Sequence, residues 1–112
     1  MHIDDFQILA DPMRRSIVEV LQFGEMSVND IVTRVHIHQS GVSRHLRILQ
    51  QAGFVTVRPE GQKRFYALAP EPFIRLDNWL QDIRKIWEPR LERFEQALIQ
   101  KQLRHREKGE TK

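Results

Sequence analysis

The chain contains no cysteine among its 112 residues, which excludes disulfides, thiolate metal sites and redox-active thiols. It also lacks any apolar run that approaches the ~20 residues of a membrane-spanning helix. The start of the chain, Met1 to Asp5, has neither the positive charge nor the apolar block of a secretory signal peptide. These absences predict a cytoplasmic protein without a membrane partner.

Motifs of catalysis are absent as well. No glycine-rich phosphate loop, Ser-His-Asp set or metal-bound catalytic pair stands out, and scattered carboxylates on helices usually form solvated faces. We therefore expect a protein that is not an enzyme and that needs no cofactor. A composition of 40% hydrophobic and 29% charged residues suits one soluble globular domain over residues 1–100, followed by a polar, disordered tail over residues 101–112.

Positive charge is concentrated in the middle of the chain. The net charge is only +3, yet residues 41–64 carry five cationic side chains against the single carboxylate of Glu60. Residues 1–11 contain three aspartates and no lysine or arginine. Such a concentration is typical of a surface that binds a polyanion, although chance clustering of a few charges gives the same result.

The segment Ile37–Gly53 predicts an amphipathic helix with a basic outer face. Val42, Leu46 and Leu49 recur at helical spacing on one side, and Gly53 is a typical helix stop. The opposite side carries two guanidinium groups and short hydroxyl and amide side chains, which match base edges and phosphate oxygens. Its members are Ser40, Ser43, Arg44, Arg47 and Gln51. A merely solvated basic face is the alternative for such a helix taken alone.

Two further helix starts precede this segment. Asp11 is a typical N-cap before a proline at the first helical position, and Ser27–Asp30 has a pattern similar to a capping box. Only three residues, 36–38, separate the second of these helices from the basic one. Two short helices joined so closely predict a helix-turn-helix, whose second helix enters the DNA major groove. A generic helical hairpin is the alternative.

After Gly53 the pattern changes to that of a β-hairpin. Phe54–Arg58 is rich in β-branched and aromatic residues, Pro59–Gln62 has the composition of a turn, and Lys63–Leu68 alternates in polarity. Cationic side chains flank the turn, where they suit phosphates or the minor groove. These side chains are Arg58, Lys63 and Arg64. An ordinary hairpin with basic residues on its edge strands is the alternative.

Taken together, these elements resemble the winged-helix repressors of the arsenic-repressor (ArsR) family. The resemblance rests on four segments, Leu9–Ile17, Gln39–Leu49, Ala52–Val55 and Glu60–Tyr66, and covers about residues 6–70. It implies a mainly α winged helix-turn-helix with a small β-hairpin, in the order α-α-α-α-β-β-α. It also implies a dimeric bacterial or archaeal transcription factor, usually an autorepressor that a signal releases from DNA.

A long amphipathic helix is predicted after Pro70. Its apolar residues recur at spacings of three and four and continue past Pro89, which should kink or restart the helix. The stripe is too long for the small core, so a second copy of the chain would cover it. The resemblance places dimer contacts on the first and last helices. The predicted contacts are Phe6, Leu9, Leu76, Trp79, Leu80, Ile83, Trp87, Leu91 and Phe94. Folding of this helix onto its own domain is the alternative.

No metal site is predicted. Many ArsR-family repressors hold metal through paired thiolates beside the helix-turn-helix or through Asp and His on the last helix. In this chain residues 27–32 contain no cysteine, and the last helix has no histidine before His105. His36 and His38, with His45 nearby, lack a cysteine or carboxylate at short spacing to complete four zinc ligands.

The sequence and the resemblance together predict a homodimeric repressor that binds an inverted-repeat operator in double-stranded DNA, and the resemblance implies that it acts as an autorepressor. The half-sites of the operator should lie ~34 Å apart. The predicted DNA contacts are Gln39, Ser40, Ser43, Arg44, His45, Arg47, Arg58, Lys63 and Arg64. Two alternatives stay open: a winged-helix module used for protein contacts alone, and a metal-responsive repressor that uses histidines. The residues point to no particular inducer.

Overall fold

The computed structural model describes the backbone of residues 4–110 and the side chains of residues 4–106. This range contains five helices and three strands. In chain order they are α1 (Asp5–Ala10), α2 (Pro12–Leu21), β1 (Met26–Ser27), α3 (Val28–Val35), α4 (Gln39–Gln51), β2 (Val55–Glu60), β3 (Lys63–Leu68) and α5 (Pro70–Glu110).

The predicted fold, four helices followed by a hairpin and a last helix, is confirmed, with one strand added. Strand β1 pairs antiparallel with β3, so that Met26 lies opposite Tyr66 and the strand order is β1-β3-β2. Two residues are too few to show an alternating pattern, which is why the sequence did not reveal β1. The strand ties the start of the helix-turn-helix to the hairpin.

Side-chain caps fix where α2 and α3 begin, as predicted. The Asp11 carboxylate accepts hydrogen bonds from the backbone N–H groups of Met13 at 2.8 Å and Arg14 at 3.1 Å. At the start of α3, Ser27 Oγ accepts from the N–H of Asp30, whose carboxylate accepts from the N–H of Ser27. This reciprocal pair is a capping box with aspartate in place of the usual Glu or Gln.

Gly53 ends α4 in the left-handed conformation, with φ +81°. The N–H of Phe54 donates to the carbonyl of Leu49 at 2.9 Å, and the N–H of Gly53 donates to that of Gln50 at 3.1 Å. These two bonds form a Schellman motif, which satisfies carbonyls that the helix end leaves open. The motif directs Phe54 into the core, where its ring meets Phe73 edge to face at 5.6 Å between centroids.

The hairpin has a shorter turn than the sequence predicted. Pro59 and Glu60 belong to β2, where Pro59 lies opposite Arg64, and only Gly61 and Gln62 form the turn. Pro59 fits there because β2 is an edge strand, so its missing N–H breaks no ladder bond. Gly61 has φ +62°, the left-handed geometry that tight hairpin turns favour at their first central position.

A compact core unites the helices and the sheet in the unit that ends at Leu76. Fully buried side chains from α1, α2, α3 and α4 meet there with the first residues after α4. The most buried members are Ile8, Ile17, Ile31, Val42, Leu46, Leu49 and Phe54. Burying each such side chain contributes about 1.5–3 kcal/mol, so this cluster holds α4 at a fixed orientation.

The second unit begins at Asp77 and consists of the remainder of α5. Helical structure continues through Pro89, so the helix does not restart there. It also continues to Glu110, whereas the sequence predicted a disordered tail from residue 101. Residues 101–106 are all good helix formers apart from one histidine, which explains the extension. Residues 111 and 112 of the predicted tail lie outside the described part of the chain. None of the helices over residues 4–110 combines the length and the hydrophobicity that a bilayer-spanning segment requires.

Candidate nucleic-acid interface

The two faces predicted for α4 are separated in the structure. Val42, Leu46 and Leu49 are 0% exposed, because this face packs into the core. The other face is open to solvent along the whole helix. Its exposed members are Gln39, Ser40, Ser43, Arg44, Arg47 and Gln51. No salt bridge engages either arginine among the described side chains, so both guanidinium groups are available to a ligand.

The connection between α3 and α4 is as short as predicted and requires an unusual backbone. His36 adopts φ +57°, the left-handed region, and its N–H donates to the carbonyl of Val32 at 2.9 Å. His38 is the N-cap of α4 but makes no side-chain capping hydrogen bond. The first N–H groups of α4 thus lack a side-chain acceptor at the cap, and a helix N-terminus in this state favours a phosphate.

A hollow of about 240 Å³ lies between the hairpin and the helix-turn-helix. It brings together three residues predicted to contact DNA, Gln39 from α4 and Lys63 and Arg64 from β3. The remaining lining residues are Ser27, Val28, Asn29 and Gln62. Sequence reasoning missed Asn29 and Gln62, whose only signal is a polar side chain in the first turn of a helix and in a hairpin turn.

Arg58 is placed differently from the other cations of the hairpin. Its guanidinium binds the carboxylate of Glu25 through Nη2 at 2.6 Å and Nε at 3.3 Å, and Glu60 lies 3.5 Å from Nη2. Hydrogen bonding to Arg58 holds the pKa of Glu25 below its usual value and, in turn, raises the pKa of Arg58. Sequence reasoning missed Glu25 because it lies 33 residues from Arg58.

His45 lies on α4 but does not share the open face. Its side chain is half-buried, and Nδ1 is buried without a hydrogen-bond partner among the described residues. Electrostatic attraction to His45 contributes to the lowered pKa of Asp11. In that carboxyl, partial desolvation raises the pKa, but the N–H donors of Arg14 and Met13 and the neighbouring positive charges outweigh it.

The histidines of the helix-turn-helix are not part of a cluster of potential metal ligands among the described residues. Within the described residues, no group of three or more His, Asp or Glu side chains is placed to hold a metal ion. His36 and His38 are both exposed in the connection between α3 and α4, whereas His45 is half-buried on α4.

Most of the residues predicted to form the dimer contact are exposed on α1 and α5. The exposed members are Phe6, Trp79, Leu80, Trp87, Leu91 and Phe94. Ile83 is half-buried, whereas Leu9 and Leu76 pack against the core of their own unit. Exposed apolar residues that were not predicted as contacts extend the surface. These include Ile86, Leu98, Ile99 and Leu103.

Comparison with known proteins gives consistent matches. The profile described as "Bacterial regulatory protein, arsR family" matches residues 11–57. The transcriptional repressor SdpR of Bacillus subtilis is 33% identical over 75 residues, which cover 67% of this chain and 83% of SdpR. The HTH-type transcriptional regulator Rv2034 of Mycobacterium tuberculosis is 33% identical over 93 residues, which cover 83% of this chain and 84% of that protein.

A solved structure agrees with these matches in three dimensions. The crystal structure of an ArsR family transcriptional regulator aligns with a TM-score of 0.66 at 28% identity, covering 75% of this chain and 87% of the other. With a family profile on the helix-turn-helix and relatives matched over most of their length, the chain belongs to the ArsR family of bacterial regulatory proteins.

Proposed function

We propose that this ArsR-family chain acts as a homodimeric repressor that inserts α4 into the major groove of an inverted-repeat operator. The observation that carries the proposal is the open face of α4, with Arg44 and Arg47 unpaired by any described carboxylate. The buried opposite face fixes that helix to the core, so the two guanidinium groups project from a rigid element.

The chemistry of the open face suits base readout. An arginine can donate two parallel hydrogen bonds to O6 and N7 of guanine, and glutamine can bind adenine in a similar way. We assign base or phosphate contacts to Arg44 and Arg47, supported by Gln39, Ser40 and Ser43. His45 is a weaker candidate because its side chain is half-buried.

The wing supplies contacts to the DNA backbone in this proposal. Lys63 and Arg64 line the hollow beside Gln39, and no salt bridge engages them among the described residues. Phosphate contacts of this kind position a protein on the duplex without reading sequence. Asn29 and Gln62 line the same hollow and join the proposed set as neutral donors.

The exposed apolar residues of α5 support the proposed dimerisation. Trp87, Leu91 and Phe94 are all exposed and lie on one side of α5, so they form a continuous apolar patch. Soluble monomers usually expose apolar side chains singly, and a patch of this kind marks an interaction surface. A second copy that covers it would present two α4 helices to successive major grooves, with half-sites ~34 Å apart. The name of SdpR, a transcriptional repressor, favours repression over activation, and DNA as partner implies a cytoplasmic location.

Selection of bound sequences from random duplex DNA tests the proposal. We expect enrichment of an inverted repeat, and fluorescence anisotropy should then show affinity that falls steeply with salt, by roughly 0.9 in the log–log slope for each phosphate neutralised. Binding to all duplexes with equal affinity, or no binding at moderate salt, would instead support a module for protein contacts.

A further inference from the structure

Glu25 and Arg58 form a two-point contact that crosses the sheet. The carboxylate of Glu25, just before β1, faces Nη2 and Nε of Arg58 on β2 at 2.6 and 3.3 Å. Because the strand order is β1-β3-β2, these two strands are not neighbours. The ion pair therefore links the residue before β1 to the far strand β2 across the sheet, and two parallel N–H···O bonds of this kind add geometric specificity to the pair.

The pairing register places Phe65 beneath this contact. Phe65 of β3 lies opposite Arg58 on one side and opposite Ser27 on the other. The guanidinium carbon of Arg58 is 5.0 Å from the centroid of the Phe65 ring, within the range of a cation–π interaction. Arg58 is thus held at once by a carboxylate and an aromatic face.

Beyond Arg58 the hairpin has little support from the rest of its unit. Every residue from Pro59 to Arg64 is exposed. The direction of the tip, and with it the position of Lys63 and Arg64, therefore depends on how the base of the hairpin is fixed. Two carboxylates, those of Glu25 and Glu60, lie within ion-pair distance of the guanidinium of Arg58, so its positive charge is compensated within the protein.

We propose that Glu25 is a positioning residue of the wing, which fixes Arg58 over the sheet and withholds its guanidinium from DNA phosphates. The part that concerns DNA rests on the proposed function. The lowered pKa of Glu25, caused first by its hydrogen bond from Arg58, is consistent with a carboxylate that stays charged and paired at neutral pH. Arg58 then acts as a fastener of the hairpin, and Lys63 and Arg64 act as the cations that meet the backbone.

Amide hydrogen exchange in the free protein tests the fastening role without DNA. Glu25→Ala and Arg58→Ala should each speed exchange of the β2 and β3 amides by about two- to five-fold, the range expected for loss of an exposed ion pair. Glu19→Ala, which removes another exposed carboxylate outside the contact, should leave these rates unchanged. Unchanged exchange in both Glu25→Ala and Arg58→Ala overturns the fastening role.

The salt dependence of DNA affinity tests whether Arg58 is withheld. Arg58→Ala removes no phosphate contact of its own and acts only by loosening the hairpin, so it should lower the magnitude of the log–log slope by less than Lys63→Ala, which should lower it by about 0.9 per protomer. In a Glu25→Ala background, Arg58 keeps only the 3.5 Å contact with Glu60 and can reach a phosphate, so adding Arg58→Ala should now lower the magnitude of the slope by an amount similar to that for Lys63→Ala. A loss of slope for Arg58→Ala alone equal to that for Lys63→Ala overturns the proposal. If no variant and no parent protein bind DNA, the proposed function fails while the exchange result still decides the fastening role.

Discussion

Arg47 lies on the open face of α4, two turns after the N-terminus and on the opposite side from the buried Leu46 and Leu49. We predict that Arg47→Ala weakens binding to the selected operator by about 1–3 kcal/mol, the discrimination that a bidentate contact to guanine supplies. Fluorescence anisotropy with the operator and with a scrambled duplex measures this. Affinity for the scrambled duplex should change much less.

The matched control for Arg47 is Arg93→Ala, which removes the same charge from an exposed position on α5 outside the proposed interface. This variant should bind the operator as the parent does. An Arg47→Ala protein with parental affinity and parental preference for the operator contradicts the assignment of Arg47 to a base contact.

Asp11 stabilises the start of α2, and its pKa makes this contribution depend on pH. Its native pKa lies below the ordinary 3.8, because partial desolvation is outweighed by the N–H donors of Arg14 and Met13 and by nearby positive charge. A lowered native pKa means that the stabilisation is present above pH 3.8 and disappears as the pH falls through the native value. We predict that Asp11→Ala lowers the free energy of unfolding by about 0.5–2 kcal/mol at pH 7, with a smaller difference near pH 2–3.

Urea denaturation at the two pH values measures this difference between Asp11→Ala and the parent. Asp11→Asn separates the cap from the charge, since an asparagine side chain also accepts from N-terminal N–H groups. Asp11→Asn should therefore keep most of the parent's stability at pH 7, and its free energy of unfolding should fall less than the parent's as the pH is lowered. An equal loss for Asp11→Ala at both pH values is inconsistent with a charged cap.

At the scale of an element, the end of α4 depends on a backbone conformation rather than on packing. A Cβ atom added at Gly53 would meet nothing within 4 Å, so its φ of +81° is the whole obstacle to substitution. We predict that Gly53→Ala lowers the free energy of unfolding by about 1–2 kcal/mol, the strain of a left-handed alanine. Gly53→Asn should cost less, because asparagine tolerates this conformation. Thermal and urea unfolding of both variants measure the order, and an Ala variant as stable as the parent contradicts the motif.

The elements that the sequence predicted are those with local signals. Asp11 and Ser27 cap helices within three residues of themselves, Gly53 stops a helix at its own position, and the buried face of α4 follows from helical spacing. Each of these signals acts over at most two turns of helix. Capping chemistry and hydrophobic periodicity therefore predicted the helix-turn-helix and the open face of α4 before any tertiary contact was known.

The features that the sequence did not predict depend on contacts between distant parts of the chain or on the surroundings of a single proline. The β1 strand exists only through its pairing with β3, and Glu25 meets Arg58 from 33 residues away. Pro59 was assigned to the turn because proline is common there, but the edge position of β2 accommodates it. The continuous helix through Pro89 shows that a stretch of good helix formers on both sides outweighs one missing N–H donor.

At the scale of the whole molecule, the solvent-exposed apolar surface of α5 leads us to expect a dimer. Phe94 is 63% exposed and Leu91 58% exposed, and their burial against a second copy would remove this surface from water. We predict that the parent chain sediments as a dimer at micromolar concentration and that the double variant Leu91→Glu/Phe94→Glu sediments as a monomer. The helix-turn-helix unit should stay folded in the variant, because neither residue belongs to its core.

DNA binding links this assembly to function. Two linked recognition helices gain affinity through effective concentration, so the monomeric variant should bind the full operator at least roughly 10²-fold more weakly while still protecting a single half-site at high protein concentration. Lys85→Glu, which introduces a negative charge on the opposite side of α5 from Trp87 and Phe94, is the matched control and should leave both sedimentation and affinity unchanged. A parent protein that sediments as a monomer, or a monomeric variant that binds the full operator as tightly as the parent, contradicts a dimeric repressor whose copies join through α5.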